Sequence, residues 1–306
     1  MATLRNCIVT ASFACKRHPL LFDIHSSMRI TLALLVASTI AMFLFALPTN
    51  GGRQDRDVVL SINDPRPLAE AARLLESKLG RAVSYEDVAL VYSGDYARAL
   101  DTDWGRKYAE QDARFKAMNR IGSVGGSLDI RVAIDTASGT PVLPVTQILQ
   151  DVIDQHKARG NPGQFQLLPI GDAFVVVPTA KRDTNGMFIP EYSPLDSPIS
   201  FPVAVRSGAE TLKVICEAVT NASGRRLSEG LAPKLLFNTV VEVGADHETA
   251  RDVLVRAWRG LRWADGRSFP SIPKMSWHLL CAPNRAMTTV PPPADVLCAL
   301  NLQTVQ

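Results

Sequence analysis

Apolar residues recur at helical spacing in residues 68–79, between two short stretches with the composition of strands. The apolar positions fall on one face of a helix: Leu68, Ala71, Ala72, Leu75 and Leu79. Gly80 follows directly and predicts the end of this helix, because glycine takes the left-handed conformation without a Cβ penalty. Apolar runs at residues 57–62 and 82–85 flank the helix. The pattern therefore predicts a β-α-β unit.

A second unit follows in the same half of the chain. Residues 128–134 predict a strand, and residues 144–156 predict a helix with a single apolar stripe: Val145, Ile148, Leu149, Val152 and Ile153. Residues 164–178 contain two apolar runs separated by Gly171-Asp172. A turn signal between two apolar runs predicts a hairpin.

The C-terminal half repeats this order of elements. Leu212 lies twelve residues before Gly224, as Leu68 does before Gly80, and each glycine precedes an arginine. The matching elements are predicted at residues 199–205, 209–223, 238–243, 250–258 and, as a hairpin, 275–291. Asp246 is expected to cap the second helix of this half. The chain is therefore interpreted as an internal duplication.

The predicted fold class is α+β, with two tandem small modules. Each is β-α-β plus β-α-β-β, with two helices packed on a small sheet. The first module covers residues 57–178, with a charge-rich helical insert at about 93–126 that ends in a glycine-rich hinge, GSVGGS. The second covers residues 199–291. Residues 179–198, rich in Pro, Asp and Ser, are interpreted as a linker, and residues 292–306 as a tail.

Residues 1–52 are interpreted as a leader. Within them, residues 30–47 are eighteen consecutive residues without a charge, between Arg29 and Pro48. This layout is typical of a secretory signal or of a single membrane anchor. Cleaved and anchored forms both stay open, and Met28 is an alternative start of the chain. The rest is predicted to be exported, either periplasmic or anchored to the inner membrane by residues 30–47.

The net charge of +3 comes from the leader. Residues 1–47 hold four basic residues and one acidic residue, which leaves 29 of each sign in the rest of the chain. A nucleic-acid-binding surface needs a basic excess, so nucleic acid is not an expected partner. Contact with a membrane is expected only through the leader.

Cysteine and histidine positions give no metal or cofactor signature. Cys216 shares a helical face with apolar residues and is interpreted as a core residue. Cys281 and Cys298 can form a disulfide in an oxidising compartment, and the sequence leaves this open. There is no C-x-x-C motif and no Cys/His spacing typical of zinc. No cofactor or metal is therefore expected.

The histidines outside the leader do not suggest catalysis. His156 is predicted at a helix C-terminus, where an imidazolium suits the helix dipole. His247 is predicted in a solvated first helical turn, and His278 in a strand on the face opposite Trp277 and Leu279. No G-x-S-x-G motif and no phosphate-binding glycine loop occur. The chain is therefore not expected to be an enzyme.

Aromatic residues crowd the first module and its insert. Tyr and Trp supply much of the contact area at protein interfaces, so these residues are candidates for contact with a partner: Tyr85, Tyr92, Tyr96, Trp104 and Tyr108. Core packing of the insert is the alternative for about half of them. In the second module, Trp258, Trp263 and Trp277 are interpreted as core residues.

The first module resembles the short N-terminal domain of secretins and TonB-dependent receptors. The resemblance is carried by Pro67-Leu68 and by the run from Leu75 to Gly80, and in the second module mainly by the internal match. It implies a periplasmic, non-enzymatic module that docks protein partners. Members carry a channel or barrel after this domain, whereas this chain ends at Gln306. A receptor or channel role is therefore not expected.

Two functional hypotheses follow. The first is an exported, non-enzymatic protein that docks a protein partner in the cell envelope, through an open strand edge or a helix face. The second is an exported hydrolase or small-ligand-binding protein with its site between the two modules. An unpaired strand edge with apolar neighbours favours the first, and titratable side chains converging across residues 179–197 favour the second. The oligomeric state is not readable from the sequence.

Overall fold

Strands and helices alternate in a computed structural model that describes residues 55–112, 121–271, 273–283 and 296–305. The predicted leader, including the anchor at residues 30–47, lies outside these ranges. From Arg53 onward the chain forms one compact unit. Within the described ranges, no helix combines the length and apolar character needed to cross a membrane.

The described part of the first half contains ten α-helices and β-strands. They are β1 (Asp55–Asp64), α1 (Pro67–Leu79), β2 (Val83–Glu86), β3 (Tyr96–Arg98), α2 (Asp103–Gln111), β4 (Ile121–Ser123), β5 (Gly126–Asp135), α3 (Val145–Ala158), β6 (Gln164–Ile170) and β7 (Ala173–Arg182). Apart from the small elements β3, α2 and β4 of the predicted insert, the order is the predicted one. In the described part of the insert, α2 is accompanied by two 3-10 turns, Ser93–Asp95 and Ala99–Asp101, and β3 pairs with β4 as a short antiparallel ribbon.

The second half begins after a short strand, β8 (Phe188–Pro190). Its elements are β9 (Pro198–Ser207), α4 (Gly208–Ser223), β10 (Arg226–Glu229), β11 (Thr239–Thr249), α5 (Ala250–Arg259), β12 (Arg262–Trp263), β13 (Met275–Pro283) and β14 (Val296–Thr304). The mixed α+β class is confirmed. Both halves follow the order β-α-β plus β-α-β-β, with the two-residue strand β12 added in the second.

The glycines predicted to end the first helix of each half do so. Gly80 ends α1 with φ 58° and Gly224 ends α4 with φ 68°, both in the left-handed conformation. The starts of the two helices differ. Pro67 opens α1, whereas Ser207 and Glu210 form a reciprocal capping box at α4.

Strand pairing repeats between the halves. In the first half, β1 pairs with β5 antiparallel, β2 with β7 parallel, and β6 with β7 antiparallel. In the second half, β9 pairs with β11 antiparallel, β10 with β14 parallel, and β13 with β14 antiparallel. Leu68 and Leu212 are both buried near the start of the first helix of their half. The internal match in the sequence therefore corresponds to a repeated topology.

The two halves share one sheet. Its strands run in the order β10-β14-β13-β2-β7-β6, with β8 paired to β7, and this is called the main sheet below. The join is the parallel pairing of β2 with β13, in which Tyr85 lies opposite His278 and Glu86 opposite Leu279. The halves are therefore fused edge to edge.

The helices of the two halves pack on opposite faces of the main sheet. Strand β7 shows this directly, because Val176 belongs to the core formed with α1 and α3, whereas Val175 and Val177 belong to the core formed with α4 and α5. Alternate residues of a strand point to opposite faces. The second face of the first half's sheet is thus covered by the other half. Beyond the helices lie β1–β5 on one side and β9–β11–β12 on the other.

Three predicted boundaries are corrected. The tail predicted at residues 292–306 contains β14, which pairs with both β10 and β13. Strand β13, the first strand of the predicted 275–291 hairpin, pairs with this later segment; residues 284–291 of that prediction lie outside the described residues. The linker predicted at residues 179–198 is folded, with β7 running to Arg182, β8 paired to it, and Leu195 buried in the second core.

The start of α5 also differs from the prediction. Strand β11 continues through Asp246 to Thr249, and the Thr249 hydroxyl, not Asp246, accepts the hydrogen bond from the Asp252 N–H. His247 therefore lies in a strand at φ 52°, and not in a helical turn. The GSVGGS segment joins β4 to β5 and packs closely on the chain, because a Cβ on Gly125 would lie 2.4 Å from the Asp64 carbonyl oxygen.

Cys281 and Cys298 form a disulfide between adjacent strands, β13 and β14. Cys216 is buried in the second core, as predicted. Of the tryptophans interpreted as core residues, Trp258 and Trp277 are buried, and Trp263 is half-buried beside Phe269.

The disulfide closes a loop with a sequence separation of 17 residues, so its removal has a predictable effect. We expect the double variant Cys281→Ala/Cys298→Ala to lose about 3 kcal/mol of unfolding free energy in urea, mainly because the unfolded chain regains freedom. Reductant should destabilise the unaltered protein and leave the double variant unchanged. Equal sensitivity to reductant in both proteins would show that this disulfide does not contribute.

Candidate functional site

The aromatic residues predicted to contact a partner do not form one exposed surface. Tyr85 and Trp104 are buried, and the Tyr85 hydroxyl donates to Asp87 Oδ1 at 2.9 Å. The Tyr96 hydroxyl donates to the carbonyl of Leu90. Tyr92 and Tyr96 are half-buried, and only Tyr108 is largely exposed, at 44 %. The prediction is therefore wrong for Tyr85, which belongs to the core formed with α1 and α3. It is also wrong for Trp104, which packs inside the insert against Tyr108 and Gly122.

His156 is a buried core residue. It packs edge-on against Phe165, with ring centroids 5.3 Å apart, and desolvation lowers its pKa to about 4. The expectation of an imidazolium at this helix C-terminus is wrong, because burial disfavours the charged ring more than the helix dipole favours it. The ring therefore stays neutral. Desolvation also lowers the pKa of His278 to about 4. His278 lies at the join of the halves, edge-on to Tyr85.

A buried ion pair crosses the join at the end of β2. Arg251 on α5 donates to both carboxylate oxygens of Glu86, at 2.8 and 2.6 Å, and also to Asp196 at 2.5 Å. The indole N–H of Trp277 donates to the same Glu86 carboxylate at 3.1 Å. Glu86 is fully buried. Burial alone would lower the pKa of Arg251, but its bonds to Glu86 and Asp196 raise it, so the guanidinium stays charged.

Asp87 forms a second crossing next to this pair. It accepts from Arg66 Nε at 2.6 Å and from the backbone N–H of Cys281 at 3.1 Å, in addition to Tyr85. Arg66 also donates to the carbonyl of Cys281 at 2.7 Å. Desolvation, followed by the charge of Asp87, raises the pKa of Tyr85 well above its ordinary value. The Tyr85 hydroxyl thus stays protonated as a donor, and both carboxylates act structurally.

Sequence reasoning missed Glu86 and Asp87. The available signal was two acidic residues directly after the apolar strand of residues 82–85. Buried carboxylates require a partner, but the partner of Glu86 lies 165 residues away. Local sequence patterns do not show that two residues so far apart in the chain form an ion pair.

Titratable side chains also converge across residues 179–197, as the second functional hypothesis requires. Glu191 pairs with Lys181 at 2.9 Å and with Arg225 at 2.6 Å, and Asp196 pairs with Arg251. Each of these carboxylates is already bound to a cation from another segment. These ion pairs hold residues 179–197 between the two halves. Neither carboxylate is left unpaired to act as an acid or base in catalysis.

Strand β9 has one open edge in the described part of the chain. It ends the three-stranded sheet β12-β11-β9 and pairs only with β11. Val203 and Val205, both on this strand, are exposed at 69 % and 66 %. Phe237, in the turn before β11, is exposed at 66 %. An open edge with exposed apolar side chains is a template for pairing with another chain.

A β-bulge produces this exposure. Between the pairs Ala204–Val243 and Phe201–Ala245, β9 uses three steps where β11 uses two. The extra residue reverses the alternation of side chains, so that Phe201 packs on the second core while Val203 and Val205 face solvent. Gly244 makes the bulge possible, because a Cβ there would lie 2.6 Å from the Val203 nitrogen.

No grouping of metal-binding side chains occurs among the residues that the structure describes. The candidate functional features are therefore the open edge of β9 and, at one end of the main sheet, a cavity of about 270 Å³ lined by both halves.

The Glu86–Arg251 pair should be costly to break from one side. We expect Arg251→Met to lower the unfolding free energy by about 3–5 kcal/mol, because it leaves a buried carboxylate without its cation. The double variant Glu86→Gln/Arg251→Met should recover part of this loss. Arg256→Met on the same helix is the control, since Arg256 pairs with Glu248 at the surface and should cost less than about 1 kcal/mol. Equal losses in the two single arginine variants would contradict the assignment.

The buried histidine predicts a dependence of stability on pH. The pKa of His156 falls from 6.5 to about 4 on folding. At pH values between these two, the unfolded chain therefore binds protons more strongly than the folded chain does. Unfolding free energy should therefore decrease as pH falls from about 6.5 to 4, by up to roughly 3 kcal/mol for this residue. His156→Gln should reduce the slope in urea titrations over this range. An unchanged slope in His156→Gln would contradict the burial of a neutral ring.

Comparison with known proteins adds no relative. No family model, no curated protein and no solved structure matches the chain. The resemblance to the short N-terminal domain of secretins and receptors remains a prediction from the sequence. The function is therefore inferred from the chain's own geometry.

Proposed function

We propose that this is an exported, non-enzymatic protein that docks a protein partner in the cell envelope by adding a partner strand to the open edge of β9. The carrying observation is an edge strand that pairs on one side only and bears Val203 and Val205 exposed to solvent. In strand addition, backbone hydrogen bonds supply affinity and alternate side chains supply specificity.

The usable edge is short and well defined. Arg206 donates to the carbonyl of Pro202 at 3.0 Å, and Pro202 itself has no backbone N–H to offer. The stretch available for pairing is therefore residues 203–207, which end at the start of α4. A partner segment of about five extended residues, apolar where it meets Val203 and Val205, matches this stretch.

The edge is also held in place before any partner binds. Strand β9 pairs with β11 along most of its length, and Ile199 and Val241 anchor the two strands in the second core. A strand that is already ordered loses little conformational entropy on binding. Rigidity of this kind suits a docking surface.

Two further observations support export and docking. The Cys281–Cys298 disulfide is typical of proteins in oxidising compartments, and the apolar run at residues 30–47 is typical of an export signal or anchor. The sequence resemblance to periplasmic docking domains points in the same direction. We therefore place the partner in the periplasm or at the inner membrane.

The second hypothesis, a small-ligand site between the halves, is favoured by a different observation. The cavity of about 270 Å³ lies where the two halves meet at the main sheet. Ligand binding in this cavity is compatible with docking at β9. No separate observation supports the hydrolase version of this hypothesis.

Docking at β9 predicts a site-specific contact. A photo-crosslinking residue at position 205 should capture a discrete protein in the envelope, because its side chain lies next to the side chains of the added strand. With that protein purified, Val205→Lys should weaken its affinity for this chain by at least about tenfold, since a lysine on an edge opposes strand addition. Binding is measured by calorimetry.

The control is Val59, an exposed valine on β1, the strand of the first half that also pairs on one side only; Val59 is 54 % exposed. A crosslinker at position 59 should not capture the same protein, and Val59→Lys should leave its affinity unchanged. Identical capture from both positions would overturn the proposal. A crosslink from position 205 to a second copy of this chain would assign the edge to self-assembly and also overturn it.

A further inference from the structure

The cavity at the end of the main sheet has the composition of a binding site for an amphipathic anion. It is bounded by the start of β2, the β6–β7 turn, the last turns of α5 and the segment leading into β13. Its lining residues are Ala82, Ile170, Asp172, Ala173, Val255, Trp258, Arg259, Pro273, Lys274, Met275 and Trp277. It lies at the opposite end of β2 from Glu86, apart from the open edge of β9.

The floor of the cavity is apolar. Trp258, Met275 and Trp277 are buried, and Val255 and Ile170 are half-buried beside them. The indole N–H of Trp277 is already donated to Glu86, so Trp277 offers the cavity the apolar surface of its ring. An apolar floor of this kind favours a hydrocarbon or aromatic body.

The rim carries two cations and one carboxylate. Arg259 forms no ion pair within the described ranges, and Lys274 donates only to the carbonyl of Gly80, at 3.1 Å. Asp172 is exposed on the β6–β7 turn and pairs with neither. The rim therefore has an excess of one positive charge and two cationic donors that are not neutralised.

The turn between β6 and β7 is shaped to admit the guanidinium. Gly171 has φ 64°, and a Cβ at this position would lie 2.3 Å from Arg259 Nη2. A side chain at this position would require the guanidinium to shift. Gly171 thus leaves room for the guanidinium against the turn.

We propose that this cavity binds a small carboxylic acid with an apolar body, with the carboxylate at Arg259 and Lys274 and the body against Trp258, Trp277 and Met275. A volume of about 270 Å³ corresponds to roughly nine water molecules. The matching ligand therefore has about ten non-hydrogen atoms. A guanidinium suits a carboxylate because it donates through two parallel N–H groups.

The test uses octanoate as the probe, with the intact exported chain. Calorimetry should show saturable binding of one octanoate, and the tryptophan fluorescence should change with it. Octylammonium and 1-octanol, which have the same body and a cationic or neutral head, should bind at least about tenfold more weakly, because they lose the charge-assisted hydrogen bonds.

Variants distinguish the contribution of the rim charges to binding from that of the apolar cavity. Arg259→Gln should weaken octanoate binding by about tenfold or more, and Asp172→Asn, a matched loss of the opposite charge on the rim, should bind octanoate at least as tightly as the unaltered protein. Val255→Phe should reduce binding by filling the cavity. Both charge variants alter exposed residues, so their thermal unfolding should be unchanged.

Three results would overturn the proposal. The first is a lack of saturable octanoate binding in the millimolar range. The second is equal binding of octanoate and octylammonium, and the third is equal binding by Arg259→Gln and Asp172→Asn. None of these outcomes bears on docking at β9, because Val205→Lys leaves the cavity intact and should not alter octanoate affinity.

Discussion

A buried carboxylate and a buried guanidinium hold this molecule together. Glu86 ends the strand by which the first half joins the shared sheet, and Arg251 projects from a helix of the second half. Neither charge is tolerated in the interior without the other. Next to this pair, Asp87 and Arg66 of the first half bind the backbone N–H and the carbonyl of Cys281 in the second half. Because both sets of contacts span the join, they fix how the two halves are arranged.

This constraint explains why a duplicated unit does not give two separate domains. A small sheet with helices on one face leaves its other face exposed. Here the exposed face of the first half receives the helices of the second, as the side chains of Val175 and Val177 show. Fusion through β2 and β13 also removes one edge from each half. Among the described strands, the outer sheets present open edges at β1 and at β9.

The two copies have diverged in what those outer strands present. On β1 the solvent face carries Ser61, which is hydrogen-bonded to Asp129 on the neighbouring strand. On β9 the bulge turns Val203 and Val205 outward. The solvent face of β9 is therefore apolar at both of these positions, whereas that of β1 combines the polar Ser61 with the exposed Val59. The proposed docking edge lies in one half, and the cavity is lined by residues of both.

The sequence by itself determined the local elements and their repetition. Helical spacing of Leu68 through Leu79 and the glycines at 80 and 224 specify where helices lie and end, because periodicity and left-handed glycine act over a few residues. Only the tertiary structure decided that residues 296–304 form a central strand, that Tyr85 and His156 are buried, and that Glu86 meets Arg251. These outcomes depend on segments far apart in the chain. Burial and ion pairing are properties of the neighbours that folding brings together, and no local pattern encodes them.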